Sequence, residues 1–169
     1  MEFRPDKCQV LTICRKRNPV RYEYVLHGHK LQHVDSAKYL GVTMTSDFSW
    51  NKHVDNVVNK ANGTLGFLRR NLQISSPSLK TTAYTSLVRP VLEYASTVWD
   101  PYTKSCIDKM EIVQRRAARN VLHRYHNTSS VGKMLDTLLW TSLEERRNRQ
   151  RLVMLYKIQH GQVAVKLHL

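Results

Sequence analysis

No two aspartates are adjacent anywhere in this chain, and its 13 acidic residues are scattered. A two-metal phosphoryl-transfer centre needs clustered carboxylates to hold Mg2+ at the reacting phosphate. The chain is therefore not expected to catalyse nucleotide transfer by itself. Only Glu144 and Glu145 adjoin. The phosphate-cradling patterns G-x-x-x-x-G-K-[ST] and G-x-G-x-x-G are absent, as are H-E-x-x-H and G-x-S-x-G. No stretch approaches the roughly 18 apolar residues of a membrane span, and no secretory leader opens the chain. An intracellular protein without membrane contact is expected, with nothing to separate nucleus from cytoplasm. Cysteine is scarce and odd in number: Cys8, Cys14 and Cys106, with no C-x-x-C pair. That pattern argues for reduced thiols and against a disulfide framework. His27, His29 and His33 cluster, but no cysteine or carboxylate stands at ligand spacing beside them. Surface histidines, with no metal, are the expectation.

What the chain has in excess is positive charge. Its 169 residues carry 27 Lys+Arg and a formal net charge of +14. The surplus is uneven, with 8 basic and 5 acidic residues in 1–50 but 11 and 4 in 111–169. Such a bias argues for a polyanionic partner and says nothing about fold. Without a membrane segment, nucleic acid is the better partner than lipid.

Period-two patterning dominates the first third. Residues 7–14 read as a strand with apolar or small residues on both faces, which suggests cover on both sides. Residues 15–19 form a basic turn. His27-Gly28 lies between two short runs as a tight hairpin, with glycine supplying the positive φ. Residues 37–44 read as a third strand.

From Ser49 the period changes to 3.6. Ser49 is a fair N-cap for a helix with Val54, Val57, Val58, Ala61, Leu65, Leu68 and Leu72 on one stripe. Ser76-Pro77 starts another helix, a cap followed by proline at the first helical position. It runs into residues 87–98, where Leu87, Val91, Tyr94, Ala95 and Val98 recur at helical spacing and Pro90 predicts a kink or a stop. After the Trp99-Asp100-Pro101 break, Ile107, Met110, Val113, Ala117 and Val121 form the apolar stripe of a further helix. Lys109, Arg115, Arg116 and Arg119 fall on its other side. Ser142 with Glu145 makes a capping-box start for the last helix. Arg146, Arg147, Arg149 and Arg151 crowd its first half, and residues 152–158 are apolar nearly all round.

In order along the chain stand Phe3-Arg4-Pro5-Asp6-Lys7-Cys8, Ala37-Lys38-Tyr39-Leu40-Gly41-Val42 and Asp47-Phe48-Ser49-Trp50-Asn51-Lys52-His53-Val54. Leu65-Gly66-Phe67-Leu68-Arg69-Arg70-Asn71-Leu72, Leu87-Val88-Arg89-Pro90-Val91-Leu92-Glu93-Tyr94-Ala95, Val98-Trp99-Asp100-Pro101 and Val113-Gln114-Arg115-Arg116-Ala117-Ala118-Arg119 follow. This series closely resembles the back part of the reverse transcriptase of LINE-type (non-LTR) retrotransposons, downstream of its catalytic aspartates. The resemblance covers almost the whole chain.

It implies an α+β fold: a small N-terminal antiparallel β-sheet, a palm remnant, followed by a mostly helical thumb-like bundle. Residues 1–48 would be the palm remnant with a primer-grip-like hairpin, 49–126 the thumb-like region and 127–169 a helical extension. Lys7 matches a palm lysine to which a proton-donor role is ascribed, a role left empty without the aspartates. Tyr39, Leu40 and Gly41 match the hairpin strand that helps hold the primer end. The competing account of those three is a buried Tyr-Leu pair with a strand glycine.

The resemblance also implies a template–primer duplex, RNA or DNA, as partner, beside the rest of the polymerase. Arg69, Arg70, Lys109, Arg115, Arg116 and Arg119 are the candidate contacts to its backbone. No catalytic residue and no cofactor is expected in this chain, because Mg2+ would belong to the missing catalytic palm. The alternative function, from a different class, is a non-enzymatic helical protein-interaction module built on the apolar 152–158 face.

Overall fold

The computed structural model describes residues 4–14, 16, 20, 22–126 and 129–164. Most of the expected basic turn at 15–19 lies outside them. The chain divides into two units, Met1–His53 and Val54–Leu169. Its class is α+β, strands first and helices after.

Among its described residues the first unit holds three strand pairs. A 3-10 turn over Pro5–Lys7 precedes β1 (Gln9–Leu11), so the strand expected over 7–14 shrinks to three residues. Strands β2 (Val25–Leu26) and β3 (His29–Lys30) form the expected hairpin, with His27 and Gly28 at φ 49° and 80°. Positive φ at both central residues gives the turn the twist that adjoining strands need. β4 (Gln32–Val34) pairs with β1 in parallel, Val10 opposite His33. The single strand expected over 37–44 is instead a hairpin, β5 (Ser36–Tyr39) and β6 (Val42–Thr45), turning at Leu40-Gly41. Ser49 precedes helix α1 (Asn51–Asn71) by two residues and does not cap it. Its amide instead bonds the Asp47 carboxylate at 3.1 Å. Donors from Thr45 and Ser49 hold that carboxyl below its ordinary pKa. The first turn of α1 closes onto the β5–β6 hairpin, where the Thr43 amide donates to His53 Nδ1 at 3.1 Å and Lys52 Nζ to Ser36 Oγ at 2.6 Å.

The second unit is helical: the remainder of α1, then α2 (Pro77–Ala83), a π-type turn (Tyr84–Val88), α3 (Arg89–Glu93), α4 (Lys104–Leu122), α5 (Val131–Thr137) and α6 (Leu143–Gln159). Two of the three expected serine caps are present: Ser76 Oγ accepts from the Leu79 amide, Ser142 Oγ from the Glu145 amide. Helix α4 is central, packing against α2, α5 and α6. Its stripe of Met110, Val113, Ala117 and Val121 is buried as expected, and so is the α1 stripe at Val54, Ala61, Leu65 and Leu68.

The stripe expected over 87–98 is wrong. Leu87, Tyr94 and Val98 are exposed, while Tyr84, Val88, Leu92 and Trp99 are buried. Pro90 is the cause. It lacks an N–H and its ring crowds the carbonyl one turn back, and the helix answers by widening just before it, where the Arg89 amide bonds the Tyr84 carbonyl. In an ideal α-helix residues four apart drift by about 40°. The wider turn offsets part of that drift and keeps Tyr84, Val88 and Leu92 on one face. The helix then ends at Glu93, and Ala95 takes φ 54°. Tyr84 stacks on Trp140 at 4.4 Å and donates to Gln114 Oε1 at 3.0 Å. Gln114 Nε2 donates onward to the Thr141 carbonyl at 2.9 Å.

Candidate nucleic-acid interface

Helices α1 and α4 run side by side in the same direction. Lys109 Nζ meets Asp55 at 2.6 Å, and Arg116 Nη1 donates to Asn62 Oδ1 at 3.1 Å. Both partners advance by seven residues, two turns, so the seam is parallel. The same step sets Arg69 level with His123 at the C-terminal ends of the two helices. Arg69 and Arg70 lie in the last turn of α1, and Arg119 in that of α4. A cation there complements the helix dipole by about 0.3–1 kcal/mol. These positions thus have a local structural reason as well as an electrostatic one.

The six candidate residues do not behave alike. Lys109 is held by Asp55, whose hydrogen bond raises the lysine pKa. Arg116 shares its charge with a neutral amide. Arg69, Arg70 and Arg115 are exposed and Arg119 half-buried. None of these four makes an ion pair among the described residues. Arg115 lies near enough to Glu111 to lower the pKa of that carboxyl.

Of the eight carboxylates of the same unit, Asp55, Glu93, Asp100 and Glu111 are engaged inside the fold. Glu93 makes a two-pronged ion pair with Arg146, whose second bond, Nη2 to Oε2, is 3.0 Å. Asp100 takes Arg151 at 2.5 Å and Arg147 at 3.7 Å. Buried Glu111 accepts from the Glu144 amide at 3.2 Å, at the positive end of α6. Burial pushes its carboxyl pKa up. Engaged negative charge and unpaired positive charge leave α1 and α4 with a net basic outer surface that can hold phosphate groups.

The arginine cluster of α6 contributes much less to such a surface than its composition suggests. Arg147 is buried, with its guanidinium 3.9 Å from the Trp99 ring centre. It donates to the Leu92 carbonyl at 2.9 Å and to that of Trp99 at 3.4 Å. Its Nε is buried without a partner, and burial lowers its pKa to about 10. Sequence reading marked Trp99-Asp100-Pro101 as a break and did not see it as the receptor for Arg147. Nothing in the spacing of the two segments signals that pairing.

In the first unit, Tyr39, Leu40 and Gly41 form the tip of the β5–β6 hairpin, with Leu40 and Gly41 at φ 44° and 86°. Tyr39 and Leu40 are 65% and 74% exposed, which removes the account of them as a buried pair. His33 Nε2 lies 2.8 Å from the Tyr22 carbonyl. Among the described residues no three His, Cys, Asp or Glu stand where they could share a metal ion. No helix among them is long and apolar enough to cross a membrane.

Fold and site together define a basic helical bundle joined to a small sheet unit, with a surface suited to a polyanion. Two curated relatives give that class a context. The RNA-directed DNA polymerase from mobile element jockey of Drosophila melanogaster is 25% identical over 99 residues, 57% of this chain and 11% of that protein. A 115 kDa protein in the type-1 retrotransposable element R1DM of the same organism is 29% identical over 75 residues, 43% of this chain and 7% of that protein. The chain thus matches about a tenth or less of the length of these relatives. No family model matches it, and no solved structure matches it significantly. The similarity to LINE-type retrotransposon reverse transcriptases drawn from the ordered motifs is supported by both relatives.

Proposed function

We propose that this chain is a segment of a retrotransposon RNA-directed DNA polymerase from downstream of the catalytic carboxylates. Residues 1–48 are a palm remnant, 49–126 a thumb-like region and 127–169 a helical extension. The helical unit holds the backbone of template–primer nucleic acid without reading its sequence, and the chain alone is not an enzyme. One observation carries the binding assignment. Arg69, Arg70, Arg115 and Arg119 remain unpaired while Asp55, Glu93, Asp100 and Glu111 are engaged within the fold. The carboxylates needed for Mg2+-dependent chemistry belong to the part of the polymerase that this chain lacks.

The test is the salt dependence of duplex binding. Five phosphate contacts, from Arg69, Arg70, Arg115, Arg116 and Arg119, give a slope of about −4 to −5 in log affinity against log salt. Replacing Arg115, Arg116 and Arg119 together with glutamine should flatten it by about 2.7. An unchanged slope would show that the nucleic acid lies elsewhere. Template-directed nucleotide incorporation by the isolated chain would overturn the non-enzymatic assignment.

A further inference from the structure

A groove of about 500 Å3 runs along α6 opposite the turn that follows α3, and no residue of α1 or α4 lines it. Arg149, Val153 and Lys157 line one wall at four-residue spacing, and Ala95 and Thr97 the other. Ser96 and Gln150 bond to each other across it. Val153 is 47% exposed, and apolar exposure continues from it onto Leu152, Leu155 and Tyr156. Residues 152–158, apolar nearly all round, are thus left largely exposed by the chain's own fold.

The charges along the groove are ordered. Glu93 and Arg146 neutralise each other. Glu145 stands in the first turn of α6, and Arg149 and Lys157 lie further along without an ion pair among the described residues. An apolar ridge bracketed by two free cations two turns apart complements a segment that carries an apolar stripe flanked by carboxylates. Nucleic acid fits less well, because Val153 and Met154 offer nothing to phosphate and Glu145 repels it. A second copy of this chain fits less well too, since its net charge is +14 and its only adjacent acidic pair is Glu144-Glu145. The geometry points to a docking site for an acidic amphipathic helix of a partner protein, lying along α6 with its carboxylates at Arg149 and Lys157.

The full chain can be titrated by fluorescence anisotropy against a labelled helical peptide of roughly four turns, with leucine at every fourth position flanked by glutamates. The control peptide has lysine in place of glutamate. The acidic peptide should bind and the basic one should not. Arg149→Glu/Lys157→Glu and Val153→Asp should each weaken binding by about tenfold or more. The salt slope for duplex binding should stay as in the parent, because none of these residues is among the proposed phosphate contacts of α1 and α4. That separates failure here from failure of the nucleic-acid assignment. Should Val153→Asp not fold, as judged by circular dichroism, Val153→Ser takes its place with the same expectation. The proposal is overturned by absence of binding, by equal binding of the basic peptide, or by no loss in the variants. Displacement of the peptide by a single-stranded oligonucleotide acting through Arg149 and Lys157 overturns it in favour of nucleic acid. A concentration-dependent dimer abolished at Val153 overturns it in favour of self-association.

Discussion

The Arg147 guanidinium lies flat enough over Trp99 to sit 3.9 Å from its ring centre, while its two terminal nitrogens bond the carbonyls that close the turn after α3. An arginine from one of the most basic stretches of the chain is thus an internal strut. Its burial carries a desolvation cost, visible in a pKa lowered to about 10. Stacking, two carbonyls and Asp100 offset that cost.

Removing the strut leaves the carbonyls of Leu92 and Trp99 short of a donor and opens a space against the indole. Arg147→Ala should lower unfolding free energy by about 1–3 kcal/mol, read as a drop in the urea midpoint. Arg147→Lys should recover only part of the loss, because an ammonium lacks the planar fork that reaches both carbonyls and stacks. The duplex salt slope of the folded lysine variant should not change. If the alanine variant unfolds at the parent midpoint, the strut assignment is wrong.

Lys109 offers a cleaner charge test, since Asp55 engages it across the α1–α4 seam at 2.6 Å. Lys109→Gln should change the salt slope by much less than the roughly 0.9 expected of a free phosphate contact. Asp55→Asn should do the opposite, releasing the lysine and steepening the slope by up to about 0.9. Equal effects from Lys109→Gln and Arg119→Gln would mean that the ion pair opens whenever nucleic acid is near.

Glu111 predicts a pH dependence. Burial raises its folded pKa above the ordinary 4.5, so between those two values the folded state binds more protons than the unfolded one. Its contribution is therefore fully present below the ordinary glutamate pKa and is lost as pH rises through the shifted value. Glu111→Gln keeps an oxygen to accept from the Glu144 amide and does not titrate. The variant should match the parent at acid pH and gain on it as pH rises toward neutrality. Urea midpoints measured across that range decide it, and parallel curves would remove burial as the dominant influence on this carboxyl.

Local signals made much of this fold legible and long-range ones did not. Ser76-Pro77 and Ser142 were readable as helix starts because a cap is satisfied within three residues. The α1 and α4 stripes were readable because nothing interrupts their period. Residues 87–98 misled because one π-type turn before Pro90 changes the phase, and no composition marks such a turn. The β5–β6 hairpin misled because Leu40-Gly41 is a poor turn signal beside asparagine-glycine. The candidate contacts were identifiable as basic, but the status of two depends on partners 54 residues away, Asp55 for Lys109 and Asn62 for Arg116. Arg147 and Arg149 stand in the same run of arginines, yet one is buried and the other exposed.

That hairpin carries its own prediction. Leu40 holds φ 44° with 74% of its surface in solvent, so it bears the strain of a left-handed conformation without gaining burial. Asparagine tolerates that conformation because its short polar side chain can bond locally, and it is the preferred partner for glycine in this turn. Leu40→Asn should stabilise the hairpin by roughly 0.5–1 kcal/mol. Slower amide exchange in the β5–β6 ladder would report it. Gly41→Ala should do the reverse, since φ 86° is strained for any residue with a Cβ. A stabilised Leu40→Asn hairpin would mean that leucine at this position costs the fold stability. No change or a loss would mean that the leucine side chain makes contacts in the hairpin that offset the strain.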